Sequence, residues 1–174
     1  MPFHPAVRRI LRDPGLLSRR LARSLVQLRN SRPSSAPYLS GDSFRAISDH
    51  VWDETGTFNN LDVAPGDIIF CNSDYLEDLC KRLTPIIQTS VVLLLGNSDR
   101  NFRERPDCLS DFTGPVYAQN LVEPIPGFLP LPIGLENRHW QDVGRPRDFA
   151  RMRKKVWNRI PRVMWTFNLS TNRP

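Results

Sequence analysis

A chain of 174 residues with 40% hydrophobic and 24% charged side chains has room for one folded domain and excludes a disordered protein. Its formal charge of +6 is unevenly spread: residues 1–32 carry eight Arg against one Asp, residues 33–144 seven basic against sixteen acidic side chains, and residues 145–174 nine against one. An acidic body between two basic ends lacks the continuous basic, aromatic-studded face of a nucleic-acid binder, which argues against that class.

Residues 5–29 predict helix, broken at Asp13-Pro14-Gly15. Beyond the break, Leu16, Leu17, Leu21, Leu25 and Leu28 keep roughly helical spacing, with Arg19, Arg20, Arg23 and Arg29 on other faces. A basic amphipathic helix of this kind can lie on an anionic membrane surface, pack its leucines on the domain, or remain an arm with no fixed partner. Residues 30–37 are a linker by composition, so residues 1–37 divide as arm and linker from an α/β domain over 38–174. Ser40-Gly41-Asp42-Ser43 predicts a cap leading into a helix that carries Phe44, Ile47, His50, Val51 and Trp52. Asn59 to Gly66 is a polar turn.

Five apolar runs follow, and each stops at a polar cluster containing asparagine. Asp67–Cys71 runs into Asn72-Ser73-Asp74, and Ser90–Leu95 into Gly96-Asn97-Ser98-Asp99-Arg100. Pro115–Ala118 closes at Gln119-Asn120, Phe128–Ile133 at Gly134-Leu135-Glu136-Asn137-Arg138, and Arg162–Phe167 at Asn168. Between the first two, Ser73 or Asp74 is expected to cap a helix with Leu76, Leu79, Cys80 and Leu83 as its buried stripe. Strand, helix, strand in roughly thirty residues is a right-handed parallel unit. The expectation is a mostly parallel α/β sheet flanked by helices, whose carboxyl edge is a binding crevice. The prolines between Glu123 and Pro132 make that stretch an edge or extended segment, because each removes a ladder donor. A basic helix is predicted over 147–158.

No run reaches the ~20 apolar residues of a membrane span, and no secretory signal is evident, so a cytoplasmic location, peripheral at most to the inner membrane face, is the expectation. Three cysteines (Cys71, Cys80, Cys108) without metal-ligand spacing predict buried free thiols in a reducing compartment, and the sequence leaves cofactor and metal requirement open.

No glycine-rich nucleotide loop, nucleophile elbow or paired metal-spaced histidines occur. His50 has no neighbour in sequence that completes a catalytic pair, and is expected to be packed or at the surface. His139, after Glu136-Asn137-Arg138, is better placed: the group can orient a sugar or phosphate, or pair internally on a loop. Asn97-Ser98-Asp99-Arg100 is the most site-like cluster, with Asp99 able to accept a sugar hydroxyl, act as a base, touch a divalent cation or cap a turn. Asn72, Asp74, Gln119 and Asn120 are candidates on the same reasoning, capping being the bland role of Asp74.

Ser40-Gly41-Asp42-Ser43-Phe44-Arg45, the strand ending Asn97-Ser98-Asp99, the Gln119-Asn120 pair and Pro132-Ile133-Gly134-Leu135-Glu136-Asn137-Arg138-His139-Trp140 together resemble exostosin-like glycosyltransferases of bacteria. The similarity covers about residues 38–174. It implies sugar transfer from a nucleotide-sugar donor to a glycan or other hydroxyl acceptor, on a fold of two facing Rossmann-like domains of which this chain matches the first. The expected roles are Asp99 or His139 as base, and Asn72, Asp74, Asn97, Ser98, Arg100, Gln119, Asn120, Glu136, Asn137 and Arg138 as substrate contacts. Gly96 stands where the resemblance leads one to expect a histidine. The leading expectation is thus a glycosyltransferase-like domain, read as a truncated half; a non-catalytic module binding a glycan or phosphorylated ligand is the alternative.

Overall fold

The computed structural model describes residues 32, 35–55, 63–83, 91–138 and 145–155. The arm, the predicted strand at 162–167, and His139 and Trp140 lie outside them.

The elements run α1 (Gly41–Ile47), β1 (His50–Trp52), β2 (Ile68–Asn72), α2 (Leu76–Leu83), β3 (Val92–Gly96), β4 (Val116–Ala118), β5 (Phe128–Pro130) and α3 (Pro146–Arg153). Short 3-10 turns precede α2 and fill part of the β3–β4 connection. All five strands are parallel, and their spatial order repeats their sequence order. The fold is therefore α/β and Rossmann-like, as the apolar runs imply.

Alternation along the strands sorts the core into two faces. Ile69, Cys71, Leu93, Leu95, Val116, Ala118 and Phe128 point to one face, where they meet Leu76, Leu79, Cys80 and Leu83 of α2. Val63, Leu109, Phe112, Leu121 and Ile125 from the other crossovers join that same cluster. Four right-handed crossovers in an unreversed strand order must all land on one side, and they do. Val51, Phe70, Leu94 and Leu131 point the other way, onto Phe44 of α1.

The helix expected through Phe44, Ile47, Val51 and Trp52 ends at Ile47, and His50-Val51-Trp52 is strand β1, paired in parallel with β2. Ser48 turns extended, and its hydroxyl donates back to the Phe44 carbonyl at 2.9 Å, which closes the last turn. Ile47, on the supposed buried stripe, is 64% exposed. At the start of the same helix Ser40 is the cap, its hydroxyl accepting from the Ser43 amide.

Neither Ser73 nor Asp74 is the cap: both lie in the 3-10 turn Ser73–Tyr75 that leads into α2, and Asn72 caps that turn, its side-chain oxygen accepting from the Asp74 amide at 3.1 Å. The buried stripe of α2 is the expected one, with Glu77 and Asp78 in its first turn. Helix α3 begins one residue before the expected stretch, with Pro146 in its first turn. Among the described residues no helix is long and apolar enough to cross a membrane.

The three thiols are free, and all pack in or against the larger core cluster. Burial pushes the Cys71 thiol well up, and burial together with a hydrogen bond to Cys108 raises that of Cys80. Both are held in the unreactive protonated form.

Candidate functional site at the carboxyl edge

Because every strand runs the same way, the polar clusters that follow them emerge along one edge. β3 hands the chain to Asn97 and β4 to Gln119 and Asn120; Asn97 and Asn120 both take the left-handed conformation, at φ 55°. Asparagine tolerates that region better than other side-chain-bearing residues, so its recurrence at strand ends has a backbone cause as well as a chemical one.

The side chains then bond across the edge. The Asn97 amide donates to Gln119 Oε1 at 3.0 Å, and Gln119 Nε2 donates to the Pro132 carbonyl at 3.3 Å. Asn120 Nδ2 donates to the Ser98 carbonyl at 2.9 Å. Asn137 closes the ring: its Nδ2 donates to Asn97 Oδ1 at 2.9 Å, and its own Oδ1 accepts from the Asp42 amide at 2.8 Å. Ser98 Oγ donates to Asp74 Oδ1 at 2.5 Å, joining the end of β3 to the turn after β2. Residues from five stretches of chain thus form one continuous rim.

Two glycines make this closeness possible. A Cβ on Gly41 would stand 1.5 Å from Asn97 Oδ1, so α1 can start against the rim only without a side chain there. A Cβ on Gly96 would stand 2.8 Å from Gln119 Oε1. A histidine at that position would have to displace the Gln119 side-chain amide that accepts from Asn97.

The rim residues divide by availability. Arg100 is engaged: its guanidinium reaches both Glu77 oxygens, at 2.9 and 2.7 Å, and the Ser73 carbonyl at 3.2 Å. That partner raises the Arg100 pKa and holds the Glu77 carboxyl below its ordinary range, so Arg100 ties α2 to the rim. Gln119 and Asn137 are buried and committed to the ring. Asp74, Asp99, Glu136 and Arg138 are exposed. Among the described residues nothing hydrogen-bonds to or ion-pairs with the Asp99 side chain, whereas Glu136 Oε1 accepts from the Asn137 amide at 3.0 Å.

With His50–Trp52 as strand β1, Asp53 becomes a further part of the carboxyl edge. Asp53, immediately after β1, accepts from Arg45 Nε of α1 at 2.7 Å and from the Thr55 amide and hydroxyl at 2.9 and 2.6 Å. Burial raises the Asp53 pKa, but the bonds from Arg45 and Thr55 outweigh it and leave the carboxyl low and charged. Asp42 is almost wholly buried beside this pair, with Arg32 Nη1 at 3.7 Å, and Arg32 also bonds Glu54. The sequence signal was present in the Trp52-Asp53-Glu54-Thr55 junction, a strand end with the same polar character as the others.

His50 does have a partner. Its Nε2 lies 2.9 Å from Asp67 Oδ2, and both residues are buried, but they sit at the start of β1 and just before β2, at the opposite edge of the sheet. It is a packed residue, as expected, and it takes no part in the rim. Among the described residues no group of three or more His, Cys, Asp or Glu side chains is arranged to hold a metal ion.

Compared with known proteins, the chain matches no family model, no curated protein and no solved structure.

Proposed function

We propose that this α/β domain binds a hydroxyl-rich, sugar-class ligand along its carboxyl edge and acts as a glycosyltransferase-like protein, with a nucleotide sugar as donor and a glycan or other hydroxyl as acceptor. The observation that carries the reading is the ring joining Asp42, Asn97, Gln119, Asn120 and Asn137, which fixes a row of exposed groups, Asp74, Asp99, Glu136 and Arg138, on a rigid frame. The resemblance of the same stretches to exostosin-like enzymes agrees with it. In this reading Asp99, exposed and on the loop after β3, takes the proton of the acceptor hydroxyl as its oxygen bonds to the anomeric carbon, while the bond from that carbon to the donor phosphate breaks and the nucleotide leaves with the electron pair. Arg138 faces the donor phosphates, and Asp74 and Glu136 accept sugar hydroxyls.

Calorimetric titration with a panel of nucleotide sugars tests it. Saturable heat with at least one donor, and product formation that falls at least a hundredfold in Asp99→Asn, are expected. A folded sample giving no heat with any donor rejects donor binding.

A second reading keeps the ligand and drops the chemistry: a glycan- or phosphate-binding module. It is favoured by the ring itself, because Gln119 and Asn137 spend both ends of their side-chain amides on Asn97, the Pro132 carbonyl and the Asp42 amide and not on a reacting centre. Positive glycan binding with donor turnover at background selects it.

A further inference from the structure

The two faces of the sheet are covered unequally. All four crossovers land on the α2 side, where Leu79 and Leu83 of α2 and Leu109, Phe112 and Ile125 of the later connections cover the strands. None is left for the other side. There the register carries one apolar row across all five strands, Val51, Phe70, Leu94, Tyr117 and Leu129, with Ile68 and Val92 paired beside it. Among the described residues, Phe44 of α1 is the one side chain in that cluster from outside the strands and the extension of β5. Val51, Phe70 and Leu94 are buried, but the row opens toward β5: Ile68, Val92 and Tyr117 are half-buried and Leu129 is 46% exposed.

A parallel sheet ordinarily has both faces covered. With every crossover spent on the α2 side, a cover for this face must come from before β1 or after β5. Helix α3, after β5, is not that cover: it buries none of its residues, and its Phe149 leans on Tyr38 with ring centroids 5.7 Å apart.

The chain before β1 has the length, pattern and charge for the task. A helix over residues 16–29 is about 21 Å long, and five strands lie about 19 Å across. Its leucines form one stripe, with arginines on the other faces. Arg32, where the described chain begins, marks the point at which this arm meets the domain. Its Nη1 lies 3.7 Å from Asp42 at the start of α1, and its guanidinium bonds Glu54 just after β1. Helix α1 packs on the open face, so the arm arrives on that side of the sheet. Eight Arg in residues 1–32 also meet a body with sixteen acidic against seven basic side chains.

We propose that the arm is the missing cover: its helix over residues 16–29 lays Leu17, Leu21, Leu25 and Leu28 on the α1 face of the sheet, over Ile68, Val92, Tyr117 and Leu129. The leucines are then spent inside the domain and not on a membrane. The inference rests on the sheet and holds whatever the rim binds.

Nuclear Overhauser contacts in methyl-labelled full-length protein test it. Cross-peaks from the Leu21 and Leu25 methyls to those of Ile68, Val92 or Leu129 are expected. Their absence overturns the proposal, as do cross-peaks to that face from Val156, Ile160 or Val163 in their place. Leu21→Asp is expected to lower the melting temperature by roughly 5 °C or more, and Arg23→Ala by much less. An unchanged melting temperature in Leu21→Asp overturns the proposal. The cross-peaks are read on the parent chain, so they decide even where Leu21→Asp fails to fold. Full-length protein is expected to stay in the supernatant when phosphatidylglycerol vesicles are sedimented at about 0.15 M salt. Sedimentation with the vesicles that is lost in Leu21→Asp overturns the proposal in favour of a membrane surface.

Discussion

At the amino edge of the sheet, His50 and Asp67 form a buried pair, the Ala64 amide donates to Asp67, and Asp49 accepts from the Ile68 amide. These bonds stay within the β1–β2 neighbourhood. At the carboxyl edge the bonds run from the end of β2 to the β3 loop, from there to the β4 and β5 ends, and on to the start of α1. Both edges bury polar groups, so buried polarity does not mark a site. What differs, among the side-chain bonds of the described residues, is reach: one edge ties β1 to the segment before β2, while the other gathers distant segments and leaves acidic and basic side chains exposed above them.

The largest effect is expected where a buried charge loses its partner. Arg45 and Asp53 are 7% and 1% exposed at their side chains, so Arg45→Ala leaves an uncompensated carboxylate and costs about 3–5 kcal/mol in urea unfolding. A loss below about 1 kcal/mol means that the pair is not the clamp between α1 and β1 described above.

Next comes Gly41→Ala, whose new methyl collides with Asn97 Oδ1 and is expected to cost about 1–3 kcal/mol. Combining it with Asn97→Ala removes the collision, so the double variant should be more stable than the sum of the single losses allows. Additive losses place the clash elsewhere.

His50→Asn probes the amino edge. Loss of the pair leaves Asp67 under-satisfied and costs about 1–3 kcal/mol, with ligand binding at the other edge unchanged. Impaired binding in a folded His50→Asn protein would merge the two edges into one system.

The smallest effect is electrostatic. Glu77 titrates below its ordinary value because of Arg100, so its contribution is present above about pH 4.3 and fades as pH falls through the lower folded value. Both side chains are substantially exposed, so the contribution is about 0.2–1 kcal/mol. Comparing acid unfolding of the parent with Glu77→Gln measures it: the variant should show a shallower loss of stability on acidification.

The long apolar runs at 68–72 and 92–96 were legible because buried parallel strands read as unbroken Val, Ile and Leu stretches. Strand β1 was not. Three residues give alternation no length to register, and Phe44, Ile47, Val51 and Trp52 satisfy helical spacing across the junction. Only Ser48-Asp49 hinted at the break. The loss of β1 hid Asp53 and its Arg45 partner with it. The rim as a place was legible, since like-directed strands must deliver their ends together. The internal pairing was not, because nothing in a sequence says that Asn97 and Asn137, forty residues apart, spend their amides on each other.

Chemical-shift mapping of the amide spectrum during titration with nucleotide sugars tests the central assignment most directly. Binding at the carboxyl edge predicts saturable shifts at Asp74, Ser98–Arg100 and Glu136–Arg138, with Asp49, His50 and Asp67 unmoved. Shifts gathered around His50 and Asp67, with the other group silent, would put the ligand at the wrong end of the sheet and contradict the account.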